Sequence, residues 1–84
     1  MPKFLVETYL SRRYAGERQA WEGRARSACE ELTREGTRVR FEQTIYVPDD
    51  EICFFTFVAQ SSRAATQVAH RAGLKAIRVV EAIS

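Results

Sequence analysis

The sequence predicts a single α+β domain in the order strand, helix, strand, strand, helix, strand. Three observations carry this. Val39 to Ala59 reads as two apolar-rich runs joined by Val47-Pro48-Asp49-Asp50-Glu51, a long β-hairpin. Trp21, Ala25, Ala28 and Leu32 fall at i, i+4, i+7 and i+11, the stripe of a helix. The length of 84 residues, 45% of them hydrophobic, leaves room for one core over residues 1–84 and no second domain.

Phe4 to Leu10 alternates as a first strand, with Phe4, Val6, Thr8 and Leu10 on one side and Leu5, Glu7 and Tyr9 on the other. Ser11 to Gly16 is a connector. The first helix is expected from about Glu17 to Glu35, with Glu22/Arg26 and Glu30/Arg34 as i, i+4 pairs and Gly36 as its stop. Centring the hairpin turn on Asp49-Asp50 sets Val47 opposite Ile52, Ile45 opposite Phe54, Gln43 opposite Thr56 and Phe41 opposite Val58. Ser61 or Ser62 caps a second helix reaching about Ala72, with Ala65, Val68 and Ala72 inward and Gly73 as the stop. Ala76 to Ile83 alternates as the last strand.

Two crossovers flanking a hairpin give the ferredoxin-like βαββαβ arrangement, a four-stranded antiparallel sheet of order 4-1-3-2 with both helices on one face. The rows Phe4/Val6/Leu10 and Phe41/Ile45/Val47/Ile52/Phe54/Val58 are the expected helix-packed side. The other side then carries Glu7, Tyr9, Arg40, Glu42, Thr44, Tyr46, Cys53, Phe55, Phe57 and Arg78. So much aromatic surface on a small monomer points to burial against a second copy, a homodimeric α+β barrel. Charges among those rings suit either a small-molecule pocket or paired charges at the rim of the dimer seam. In a pocket, Glu7, Glu42 or Tyr46 would be the acid or base of a cofactor-independent enzyme, or would orient a carried ligand. A purely structural or interaction module is the remaining alternative.

Thirteen Lys and Arg against eleven Asp and Glu give a net charge of +2 with no basic run to follow a phosphate backbone, which argues against nucleic acid. No apolar stretch suits a membrane, and two cysteines without CxxC spacing or a secretory leader suggest free thiols in the cytoplasm. There is no phosphate loop, nucleophile elbow or HExxH motif. Single-residue metal candidates are His70, set about two residues off the inner stripe of the second helix, and Cys53. Asp49, Asp50 and Glu51 would suit a hard cation, or simply form a solvated turn.

Phe4-Leu5-Val6-Glu7-Thr8-Tyr9-Leu10, Glu35-Gly36 with Val39, Val47-Pro48-Asp49-Asp50-Glu51 with Cys53-Phe54, and Arg71-Ala72-Gly73-Leu74 with Arg78 and Glu81-Ala82 stand out together. In these the chain resembles a family of small bacterial proteins of uncharacterised function, common in actinobacteria, one group of which is nickel-binding and ferredoxin-like. The resemblance implies the βαββαβ fold, dimerisation, and binding of nickel or another divalent metal. It assigns no ligand residue here, and nickel's preference for nitrogen and sulfur donors sits poorly with a single histidine.

Overall fold

The computed structural model describes residues 1–83; Ser84, the last residue of the expected domain, lies outside the described residues. The strands are β1 (Lys3–Tyr9), β2 (Val39–Val47), β3 (Ile52–Ala59) and β4 (Ala76–Ala82), and the helices are α1 (Arg18–Arg34) and α2 (Ser62–Arg71). They form one antiparallel sheet in the order β2-β3-β1-β4, the expected order read from the other edge.

The local signals act largely as anticipated. The connector after β1 is a 3-10 segment (Arg12–Glu17), begun by Ser11, whose hydroxyl accepts from the Arg13 amide. It delays α1 to Arg18. Ser61 caps α2 by accepting from the Ala64 amide at 3.2 Å. Gly36 and Gly73 end the two helices with positive φ, which a side chain resists. Pro48 through Glu51 make a four-residue turn in which Glu51, not a glycine, adopts φ 54°.

The hairpin register holds near the turn and fails further out. Val47↔Ile52, Ile45↔Phe54 and Gln43↔Thr56 pair as expected, but Phe41 pairs with Phe57, not Val58. The cause is a β-bulge at Glu42, one extra residue that sends Val39 and Phe41 to the opposite face from Ile45 and Val47.

The larger correction concerns which face meets the helices. β3 is apolar on both sides, so its own sequence does not choose. Its pairing with β1 does: Val6↔Phe55 and Phe4↔Phe57 put Cys53, Phe55, Phe57 and Ala59 in the layer with Phe4, Val6 and Leu10. These meet Ala25, Ala28, Cys29 and Leu32 from α1 and Ala64, Ala65, Val68 and Ala69 from α2. The small helix residues let both helices approach closely, and Trp21 seats its ring 6.2 Å from Phe55. Ile45, Val47, Ile52, Phe54 and Val58, expected beneath the helices, lie with Leu5 on the face the helices leave open.

The two i, i+4 pairs expected on α1 are absent from the ion pairs among the described residues. Glu22 instead accepts from the Thr44 hydroxyl, and the Arg26 guanidinium lies 4.8 Å over the Phe41 ring.

The face assignment is tested by truncation. Phe55→Ala, which empties a fully buried site, should cost about 3–5 kcal/mol in a urea melt. A loss under about 1 kcal/mol would place Phe55 on the open face.

Candidate functional site

The open face is a sheet surface built from alternate residues of all four strands. Leu5, Ile45, Val47, Ile52, Phe54, Val58 and Val80 form its apolar field, most of them half-buried and Ile45 44% exposed. Two ion pairs cross it. Arg78 Nε donates to Glu7 Oε1 at 2.7 Å, an outcome of the direct Glu7↔Arg78 pairing of β1 with β4. Lys3 Nζ donates to Glu42 Oε1 at 2.8 Å, across the bulge that turns Glu42 to this side.

Between these pairs sits Thr56, 2% exposed although no helix covers it. Its hydroxyl accepts from the Gln43 amide at 3.2 Å and has the Gln43 carbonyl and the Glu42 carboxylate, at 3.2 and 3.4 Å, as acceptors. The expected Gln43 and Thr56 bond therefore runs through the Gln43 backbone, because the bulge brings that backbone inward.

The ten residues grouped from the sequence are thus divided by the sheet. Glu7, Tyr9, Arg40, Glu42 and Arg78 share the open face. Thr44, Tyr46, Cys53, Phe55 and Phe57 belong to the helix side, because that layer takes the even positions of β2 beyond the bulge and the odd positions of β3. Tyr46 donates from its hydroxyl to the Leu10 carbonyl at 2.7 Å under the Arg18 guanidinium. Removal from water, with the nearby Glu51 charge, pushes its phenol upward, so it stays protonated and is spent as a donor. Glu42 is held below the ordinary carboxylate range by the Lys3 hydrogen bond and so stays ionised near neutrality.

Glu51 is a structural residue that the sequence offered as a cation ligand or as part of a solvated turn. Its carboxylate accepts from the Arg12 amide at 2.8 Å and from the Tyr9 hydroxyl at 3.3 Å, while its carbonyl accepts from the Leu10 amide at 2.8 Å. The Arg12 amide is the main reason its carboxyl is pulled below the usual range. It ties the hairpin tip to the end of β1. Asp49 and Asp50 stand exposed beside it.

The metal candidates do not converge. His70 is exposed on the outer side of α2 near Arg63 and Arg71, whereas Cys53 is fully buried near the start of β3. Among the described residues no three His, Cys, Asp or Glu side chains gather in a ligating group. Cys29 and Cys53 share the helix–sheet interface as free buried thiols. Burial pushes each thiol up to about 11, the opposite of what a thiolate ligand requires. The donor set does not fit nickel.

The architecture is that of a ferredoxin-like α+β protein, and among the described residues no helix is long and apolar enough to cross a membrane. No protein-family model and no curated protein matches the chain. Among solved structures it is similar to SCO4226 from Streptomyces coelicolor A3(2), with a TM-score of 0.75, 19% identity and 98% of each chain covered. At that identity the likeness shows the fold.

The thiols provide a pH test. An unfolded thiol titrates near 9.0 and the folded ones near 11, so above pH 9 the unfolded chain holds fewer protons. Stability should be unaffected by the thiols below pH 9 and fall as pH rises from 9 toward 11. Urea midpoints of the wild type, compared with Cys29→Ala/Cys53→Ala, should converge over that window; a wild-type midpoint that gains on the variant there would contradict it.

Proposed function

We propose that the chain acts as a homodimeric small-molecule binding protein, closing a compact α+β barrel by setting the open sheet face against its counterpart in a second copy. The observation that carries this reading is the continuous apolar field from Leu5 to Val58 on a face with no helix. Left in water, such a field forgoes burial worth about 25 cal/mol per Å² of apolar area. A domain of this length has a limited core and gains much from a partner.

The charges on the face favour a second copy over a charged partner. Glu7 is balanced by Arg78 and Glu42 by Lys3 within the same chain, so like faces can meet without net repulsion from these groups. Where two such faces close, Glu42 and Glu7 supply the few polar groups that orient a ligand between apolar walls. The role is binding and holding.

Native mass spectrometry of untagged protein at micromolar concentration should give twice the 9.6 kDa chain mass. Phe54→Asp, which places a charge at the centre of the seam, should give a folded monomer with unchanged far-UV circular dichroism. A wild-type monomer, or a Phe54→Asp dimer, would remove the reading. For the ligand, an uncharged aromatic compound with one hydrogen-bonding group should raise the Tm of the wild type and raise that of Glu7→Gln less.

A further inference from the structure

A second feature lies in the helix layer, at the end of the sheet where β1 finishes and β4 begins. α1 runs for 17 residues and α2 for only 10. Beyond the end of the shorter helix the structure forms a cleft of about 280 Å³. Its walls are Trp21 and Arg24 from α1, Thr8 and Tyr9 from the end of β1, and Gly73 and Lys75 from the turn into β4. β4 carries a bulge beside it, since Glu7 pairs with Arg78 and Thr8 with Ala76, leaving Ile77 as the extra residue.

The polar lining of this cleft is one-sided. Arg24 and Lys75 are cations, no carboxylate lines it, and among the described residues neither cation forms an ion pair. The neutral hydroxyls are spent elsewhere, Thr8 donating to the Cys53 carbonyl at 3.0 Å and Tyr9 to Glu51 at 3.3 Å. The carbonyls that end α2 are occupied too. Ala69 accepts from the Leu74 amide, His70 from the Gly73 amide, and Ala72 from Arg24 Nε at 2.8 Å. That last bond fixes the guanidinium across the gap between the helices and leaves its terminal nitrogens free. Half-buried Trp21 packs on Phe55, and its indole N–H has no hydrogen-bond partner among the described residues. What remains unspent around the cleft is therefore a set of donors, two of them charged.

We propose that this cleft binds a small aliphatic carboxylate, with the acid group between Arg24 and Lys75 and the hydrocarbon against Trp21. A ligand that supplies only acceptors and a negative charge complements a lining that supplies only donors and positive charge. Because Arg24 is already held by the Ala72 carbonyl, its planar group loses little freedom when a carboxylate arrives. The volume sets the size: it falls just under the roughly 300–1,000 Å³ of cavities that take drug-sized molecules, which suits a short chain. Inorganic phosphate would meet the cations and leave the Trp21 wall in water. The cleft sits in the helix layer, so each copy in a dimer joined through the open face keeps its own, and the site does not rest on the dimer reading.

The test is a ¹H–¹⁵N titration of the full chain with sodium 4-methylpentanoate, with 4-methylpentanamide and inorganic phosphate as controls. Trp21 is the single tryptophan, so its indole N–H gives one peak that reports on the cleft directly. That peak should move together with the amides of residues 8, 9 and 73–75, with a dissociation constant on the order of 10 mM or tighter. The neutral amide and phosphate should each bind at least about tenfold more weakly. Lys75→Gln, at an exposed position, should lose about three- to fivefold in affinity, and Arg24→Gln/Lys75→Gln at least about tenfold. Phe54→Asp should bind as tightly as the wild type. An unmoved indole peak, equal binding of the amide or of phosphate, or weaker binding by Phe54→Asp would overturn the proposal. Should the double variant fail to fold, Lys75→Gln decides, because affinity equal to the wild type there contradicts the site. Oligomer mass reads the dimer separately, so either idea can fail alone.

Discussion

Two helices can cover only one face of a four-stranded sheet, and most of the organisation of this protein follows from that limit. β3 is central and apolar on both sides, so whichever row the helices bury leaves another apolar row behind. The row they bury has Phe55 and Phe57 at its centre and Cys53 and Ala59 at its ends. The alanine-rich inner sides of α1 and α2 fit closely against it, while Trp21 fills the space beside Phe55. The row left behind, from Ile52 through Phe54 to Val58, becomes the surface on which any function of the sheet must rest.

The polar groups of that surface are arranged to limit the cost of their position. Thr56 is nearly inaccessible, yet the bulge at Glu42 brings a backbone amide and carbonyl to its hydroxyl. Glu42 and Glu7 are each matched with a cation from β1 or β4, and these contacts are partly exposed, so their value lies more in neutralising the face than in stabilising the fold. Binding surfaces with an apolar centre and a few fixed polar groups suit small ligands and like partners.

The order of elements, both helix stops, the capping serine of α2 and the registration of the hairpin near its turn were legible because each depends on local chemistry: glycine at positive φ, a serine before a helix, proline at a strand end. The bulge was not, since Phe41-Glu42-Gln43 contains no glycine or proline to mark it and alternation continues through it in the sequence. Nor was the choice of face, because it is set by the pairing of β1 with β3, two runs separated by α1 and β2 whose apolar patterns allow either registration. One error in face then carried Thr44, Tyr46, Cys53, Phe55 and Phe57 into the wrong layer together, while Glu7, Tyr9, Arg40, Glu42 and Arg78 lie on the open face.

The central claim is that the helix-free face is a contact between two copies of this chain. Isotope-filtered NOE spectroscopy on a mixture of labelled and unlabelled protein tests it most directly, because it reports only contacts between chains. Cross-peaks should arise from Leu5, Ile45, Ile52, Phe54 and Val58 and be absent from Val6, Phe55 and Val68. Intermolecular contacts that are absent at millimolar concentration, or that arise from the outer side of α2, would contradict the account.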